Sequence, residues 1–395
     1  MLLGLVGKPS CGKSTFFKAA TLAEIPIASY PFTTIKANTG VGYVKVDCID
    51  KEFETQCNPK HGFCLNHNRF VPIQITDVAG LVPGASQGKG LGNQFLDDLR
   101  EADAFIHVVD ASGNTDEEGK PTENFDPCKD IDFLEKELDE WYYNIFMKAW
   151  KRFVRKVEMQ DRKFSEEIAT QFSGLKVKED DVKEVLRSLN LPEKPTNWDE
   201  EQIKKFTSHL RKKTKPMIIA ANKVDTEKGK ENYRVLRDKF PKLNIVPCSA
   251  DSELALREAS KAGIIDYIPG EKTFKIREGK ANEKQKAALE KIQKNVLDVF
   301  EEGTGVQSVL NSAVFGLLKY IAVFPASANK LEDSKGNTLP DCFLLPEGST
   351  ALDFAYFLHT DFGDNFIKAI DAKSKRDLGK DHKVNHRDAI EIITR

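Results

Sequence analysis

The sequence is 395 residues long, enough for two or three domains with a sizeable core. Its 59 basic and 61 acidic residues leave a formal net charge of -2, which excludes a chain-wide nucleic-acid footprint, so any basic surface must be local. No apolar run approaches the roughly 20 residues that span a bilayer, the short N-terminal apolar run does not read as a signal peptide, and seven cysteines without a secretory signal read as mostly reduced thiols. A cytoplasmic protein without membrane contact is expected.

The chain opens with Met1-Leu2-Leu3-Gly4-Leu5-Val6, which reads as a buried strand. It runs into Gly7-Lys8-Pro9-Ser10-Cys11-Gly12-Lys13-Ser14-Thr15, a match to G-x-x-x-x-G-K-[ST], and then into a helix carrying Phe16, Phe17, Ala19, Ala20 and Leu22. Strand, glycine loop and helix make a phosphate cradle. Backbone N–H groups converge on anionic oxygens, and the helix N-terminus adds partial positive charge. Lys13 is expected to reach the β- and γ-phosphates and Ser14 to place its hydroxyl on Mg²⁺.

Two adjacent threonines follow in Tyr30-Pro31-Phe32-Thr33-Thr34-Ile35. They suit a switch segment in which one hydroxyl completes the Mg²⁺ shell while GTP is bound, or else a plain edge strand. Residues 41–46 and 69–76 read as two strands of a hairpin. Between them lie Cys48, Cys57, His61, Cys64 and His67. The density of soft ligands suggests zinc, but C-x3-H-x2-C-x2-H fits no standard pattern, and free thiols with exposed histidines are the default. The second strand delivers Asp77-Val78-Ala79-Gly80. Here Asp77 is expected to hold Mg²⁺ through water and the Gly80 N–H to sense the γ-phosphate; an ordinary glycine-rich surface loop is the plainer alternative. Ala104-Phe105-Ile106-His107-Val108-Val109 is a further buried strand, where His107 reads as a core histidine.

Residues 126–215 change texture. Phe133, Leu134, Leu138, Trp141, Tyr142, Ile145, Phe146 and Ala149 recur at helical spacing, and Pro192 and Pro195 break later helices, so a helical insertion is expected. Residues 148–163 hold seven basic and two acidic side chains with Trp150 and Phe153 among them. That stretch reads either as a contact for a phosphate backbone or as a solvated helix face with its apolar stripe turned inward. The strand Pro216-Met217-Ile218-Ile219-Ala220-Ala221 then delivers Asn222-Lys223-Val224-Asp225. The Asp225 carboxylate can accept from both guanine N1–H and the N2 amino group, a donor pair that adenine lacks. Asn222 would brace the phosphate loop, and the Lys223 stem would lie along the base. After the strand at 244–247, Ser249 would steady Asp225 and the Ala250 N–H would meet guanine O6; Asp251 stands where such loops often carry Lys. Towards the C-terminus, short strands at 338–345, 366–369 and 389–393 with one helix at 350–359, inner face Leu352, Ala355 and Tyr356, suggest a compact α+β module.

Five motifs in this order describe a GTPase of the translation-factor-related class. Finer residues narrow it. Tyr30-Pro31-Phe32-Thr33-Thr34, Asp77-Val78-Ala79-Gly80-Leu81-Val82-Pro83-Gly84-Ala85 and Gly88-Lys89-Gly90-Leu91-Gly92-Asn93-Gln94-Phe95-Leu96 strongly resemble the Obg-related GTPases of the YchF-like branch. The stretch from Pro346 through His359-Thr360-Asp361 to Ile392 resembles a TGS domain, a ubiquitin-like β-grasp unit. The resemblance implies that Thr34 is the Mg²⁺ ligand of the threonine pair. It also implies that Leu81 stands where Ras-like enzymes place a water-orienting glutamine. Ribosomes or RNA are implied as partners, met through the TGS domain. Ser10 replaces an Asn that in many relatives helps place potassium. Some YchF-like proteins prefer ATP, but the retained Asn222-Lys223-Val224-Asp225 points to GTP.

The expected fold is a doubly wound, mostly parallel α/β P-loop GTPase sheet. The domains are a GTPase domain over 1–125 and 216–275, a helical insertion at 126–215, connecting helices at 276–318 and a TGS domain at 319–395. The expected function is Mg²⁺-dependent GTP binding with slow hydrolysis, catalysed around Lys13, Thr34, Asp77 and Gly80, in a switch that docks on a ribosome or RNA; a monomer is favoured. The alternatives are an NTPase, using GTP or ATP, that regulates a protein partner without touching RNA, and a nucleotide-dependent scaffold with negligible turnover.

Overall fold

A computed structural model describes residues 1–22, 38–78, 99–160, 162–327, 331–333 and 336–395. The central sheet is built from β1 (Leu2–Val6), β2 (Thr39–Asp47), β3 (Phe63–Leu65), β4 (Asn68–Asp77), β5 (Ala104–Asp110), β6 (Met217–Asn222) and β7 (Ile245–Cys248). Its order is β2-β4-β1-β5-β6-β7, with β3 also on β4. β4, β1, β5, β6 and β7 run parallel, and β2 lies antiparallel on the outer edge of β4. The hairpin read at 41–46 and 69–76 is therefore present and longer than expected.

The parallel strands are apolar throughout because both faces are covered. Leu3 and Leu5 of β1 and Ile106 and Val108 of β5 face one core, with α1 (Lys13–Thr21). Val6 and Phe105, at the alternate positions, face the other core with the insertion helices. His107 sits in this wall almost without exposure, and its Nδ1 has no hydrogen-bond partner among the described residues. Burial depresses its pKa to about 3. The unfolded chain binds a proton near 6.5 and the folded one does not, so stability falls as pH drops from 6.5 towards 3, by about 2 kcal/mol at pH 5. Buried Asp130, pushed up to about 6 by desolvation despite Lys8, has the opposite slope between about pH 6 and 4. The His107 contribution is therefore read by difference. His107→Phe is expected to lose less stability than the wild type between pH 7 and 5 in urea melts, and identical pH slopes would contradict it.

The insertion is four helices: α2 (Cys128–Gln160), α3 (Phe164–Gln171), α4 (Glu179–Leu189) and α5 (Glu200–Thr214). Phe146, Trp150, Phe153, Phe164, Trp198 and Phe206 form its aromatic core. Trp150 and Phe153 are thus packed inside, which removes them as stacking platforms for a nucleic acid.

After β7 come α6 (Ala250–Lys261), a short hairpin of β8 (Ile265–Tyr267) and β9 (Phe274–Ile276) that the sequence reading lacked, and α7 (Glu283–Ile292). Residues 306–317 do more than connect: Val306, Val309, Leu310, Ala313 and Val314 are buried in the core that holds Leu3 and Leu5. The chain then enters a second sheet, β10 (Tyr320–Pro325), β11 (Phe343–Pro346), β12 (Phe366–Asp371), β13 (Asp377–Leu378) and β14 (Ala389–Thr394), in the order β11-β10-β14-β12-β13. The helix α8 (Ala351–Leu358) lies on it with Ala351, Phe354 and Ala355 buried, and a short further helical turn, Thr360–Asp364, follows. The expected inner face of Leu352, Ala355 and Tyr356 is corrected by this: Tyr356 is exposed, and in two turns of helix the apolar period is ambiguous. The strand expected at 338–345 shrinks to Phe343–Pro346, because the Thr338 and Pro340 carbonyls accept from the N–H groups of Asn58 and Lys60 instead (2.8 and 2.9 Å). No helix among the described residues is long and apolar enough to cross a membrane.

Candidate functional site

The phosphate loop joins β1 to α1. Gly7 has φ +148°, and a Cβ there would stand 2.5 Å from the Val108 carbonyl oxygen. Gly12 has φ +97°, and a Cβ there would stand 2.2 Å from Asn222 Nδ2. Only glycine tolerates both the dihedrals and the close approach. Ser10 is left-handed at φ 62°. Pro9 and Cys11 complete the loop, Cys11 fully buried, and Thr15 lies in the first turn of α1. Lys13 is buried with its ammonium over the loop, donating to the Gly7 and Lys8 carbonyls (both 3.1 Å).

Ser14 Oγ donates to Asp77 Oδ2 at 3.1 Å. Two residues 63 positions apart thus meet because β4 and β1 are parallel neighbours whose C-terminal ends align. Asp77 Oδ1 is buried and has no hydrogen-bond partner among the described residues. An orphaned carboxylate oxygen beside a serine hydroxyl fits a hard divalent cation such as Mg²⁺ with its waters. Thr33, Thr34, Gly80, Leu81 and the glycine-rich stretch at 84–92 lie outside the described residues.

The base motif ends β6. Asn222 Nδ2 donates to the Cys11 carbonyl (3.0 Å), the brace expected of it. Lys223, left-handed at φ 68°, donates to the Ser10 carbonyl (3.0 Å) and pairs with Asp110 (2.8 Å). Ser249 Oγ donates to Asp225 Oδ1 (2.9 Å), holding the carboxylate that is half-buried at the rim. The Ala250 N–H differs from expectation: it donates to Asn222 Oδ1 (3.0 Å), because Asn222 links the phosphate loop to the start of α6.

Three supports were not legible as function. Asp110, at the end of β5, accepts from Lys223, Ser112 and Thr115. Burial alone would raise its pKa, but those bonds hold it below the ordinary carboxylate value. Its position at the C-terminal end of an apolar strand was the available signal. Lys8 turns away from the loop, onto Asp130 of α2 (2.9 Å) and the Thr115 carbonyl (2.8 Å), so only its backbone can serve the cradle. Buried Glu253 accepts from Thr304, Tyr267 (2.7 Å) and Arg257 (2.7 Å) and anchors the loop that carries Ser249.

A phosphate loop, an aligned Ser–Asp pair and an N-K-x-D loop around one sheet end define a P-loop GTPase. Comparison with known proteins agrees. Residues 2–142 match the 50S ribosome-binding GTPase family, residues 220–328 the Obg-like GTPase YGR210-like, G4 motif-containing domain, and residues 335–394 the TGS domain. An uncharacterised GTP-binding protein of Methanocaldococcus jannaschii is 47% identical over 100% of this chain and 99% of its own. The crystal structure of a GTP-binding protein from Pyrococcus horikoshii OT3 is 41% identical, covers 100% of both chains and superposes with a TM-score of 0.80. The ribosome-binding ATPase YchF of Buchnera aphidicola subsp. Acyrthosiphon pisum is 30% identical over 93% of this chain and 86% of its own. The chain belongs to the Obg-related GTPases of the YchF-like family, with a C-terminal TGS domain.

Proposed function

We propose that this GTPase is a Mg²⁺-dependent guanine-nucleotide switch with slow intrinsic hydrolysis that engages ribosomes in its γ-phosphate-bound state. The observation that carries the nucleotide part is the Ser14–Asp77 contact with its unpartnered Asp77 oxygen, set at the mouth of the phosphate loop. Ser14, Asp77 and Thr34 would hold the metal ion, which neutralises developing charge on the phosphates. Lys13 binds the β- and γ-phosphates, the Gly80 N–H reports the γ-phosphate, and Asp225, Asn222, Lys223 and Ser249 read the base. Leu81 offers no group to orient a water, so turnover without a partner should stay well below one per second.

The ribosome part rests on relatives named ribosome-binding and on a local basic row. Lys148, Arg152 and Arg155 are exposed on one face of α2 at i, i+4 and i+7. Lys156 and Arg162, by contrast, are both consumed by Glu167. The row is available to phosphates while the aromatics of the same helix fill the core. Co-sedimentation with ribosomes of the source cell, with GDP or a non-hydrolysable GTP analogue, tests the proposal. Pelleting with the analogue alone, weakened by salt and by the triple change Lys148→Glu, Arg152→Glu, Arg155→Glu, is the expected result. No pelleting in either state would overturn the ribosome part and leave a nucleotide-dependent regulator of a protein partner.

A further inference from the structure

The turn between β2 and β4 gathers residues that the nucleotide site does not use. Cys48 follows β2, Asp50 lies in the 3₁₀ turn Ile49–Phe53, Cys57 lies in the loop beyond it, and Cys64 lies on β3. One ligand atom from each, three sulfurs and a carboxylate oxygen, all fall within 4.8 Å of one another. Cys48 Sγ is 3.5 Å from Cys57 Sγ, and Cys64 Sγ is 3.8 Å from Asp50 Oδ2. A tetrahedral zinc site with Zn–S near 2.3 Å places its sulfurs about 3.8 Å apart, so the donors already stand at ligand spacing. We propose that Cys48, Cys57, Cys64 and Asp50 form a structural zinc site.

A second observation points to negative charge on these sulfurs. The Arg69 side chain is fully buried, with Nη1 3.3 Å from Cys57 Sγ and Nη2 on the Leu339 carbonyl (2.9 Å). Its Nε has no partner, and no carboxylate pairs with it among the described residues. A buried guanidinium needs a nearby anion. The Asp50 carboxylate stands in the same cluster but does not pair with Arg69, and neutral thiols add no charge, whereas a zinc-bound thiolate at Cys57 sets negative charge directly against Nη1. Binding replaces three thiol protons, released to solvent, with one Zn²⁺, and the Arg69 charge offsets part of the resulting negative site.

The surroundings are arranged as a ligand's supporting shell. His67 Nδ1 lies 2.9 Å from Asp50 Oδ1, leaving Oδ2 turned to the sulfurs, and the Cys57 N–H donates to Oδ2 (3.0 Å). His61 is not part of the cluster; it faces Asp341 at 3.9 Å. Four protein donors leave no open position, so the metal would be structural rather than catalytic. What it would hold is the seat of the TGS sheet. The same loop meets that domain through the Asn58 and Lys60 N–H groups on the Thr338 and Pro340 carbonyls, Arg69 of β4 donates to the Leu339 carbonyl, and Arg387 Nε donates to the Asp47 carbonyl.

The test is metal analysis of the full chain purified under reducing conditions without chelators. About one zinc per chain is expected, and cobalt added to the stripped protein should give the sulfur-to-cobalt charge-transfer and strong visible bands of a tetrahedral thiolate site. Cys57→Ser and Cys64→Ser should each drop zinc below about a tenth of an equivalent, whereas Cys128→Ser, remote from the cluster, should retain it. Less than about a tenth of an equivalent in the wild type together with no cobalt spectrum would overturn the site. So would zinc retained in both cluster variants, or a protein two thiols short of seven that carries a Cys48–Cys57 disulfide and no metal.

Discussion

Asp225→Asn is expected to cut the preference for GDP over ADP by at least an order of magnitude, measured as the ratio of Kd values by calorimetry. The carboxylate sits at the rim of the loop with one oxygen held by Ser249 (2.9 Å). Thr226, the next residue, caps the following helix by accepting from the Gly229 N–H (3.0 Å), so the Asp225 backbone is fixed as well. A guanine gives this carboxylate two donors, and charged hydrogen bonds are worth about 1.5–3 kcal/mol each. Adenine gives no such pair and leaves the desolvated charge uncompensated. The Asn side chain keeps the shape but loses the charge and puts an NH₂ against a donor. The measurement matters because relatives of this chain divide by name: the Methanocaldococcus protein is called GTP-binding and the Buchnera protein an ATPase. An unchanged GDP-to-ADP ratio in a folded variant would mean that the base is read elsewhere.

What was legible in the sequence follows a physical division. Asp77 and Asn222 end apolar strands, Asp225 follows the second of these by three residues, and Lys13 and Ser14 open the helix reached through the loop after β1; a parallel sheet aligns those ends automatically. Their convergence could be read from motif order, without knowing any contact. The hairpin strands were legible for the same reason, through β-branched periodicity. What was not legible depends on pairs far apart in sequence. Lys8 and Asp130 meet only because the first helix of the insertion starts beside the phosphate loop. Glu253 collects Tyr267 and Thr304 from two other segments, beside Arg257 one turn along its own helix. Trp150 and Phe153 look the same in sequence whether they stack on a base or fill a core; the presence of Phe164, Trp198 and Phe206 at the matching depth decides for the core. The cysteines of the hairpin loop match no linear zinc pattern because their fourth partner is Asp50, two residues after the first cysteine, and not a histidine.

Lys13→Ala is expected to raise the Kd for GTP at least a hundredfold and that for GDP at least tenfold, with GTP binding lost at micromolar protein in a fluorescent-nucleotide titration. The Lys13 ammonium has no carboxylate partner among the described residues and instead rests on the Gly7 and Lys8 carbonyls (both 3.1 Å). Those are neutral acceptors, so the charge gains strongly when phosphate oxygens enter the cradle. Two charge-assisted contacts, to the β- and γ-phosphates, are together worth about 3–6 kcal/mol, or two to four powers of ten in affinity. The substitution also removes two tethers that close the loop, so the variant's melting temperature must be measured alongside. A modest drop in melting with loss of GTP binding separates the missing charge from a collapsed loop, since Asn222 still braces the Cys11 carbonyl and Lys223 the Ser10 carbonyl. Restoring the charge with Lys13→Arg should recover loop stability more than affinity, because a planar guanidinium fork aims its donors differently from the compact ammonium that rests on the Gly7 and Lys8 carbonyls. Near-normal affinity in Lys13→Ala would refute the assignment of this loop as the phosphate site.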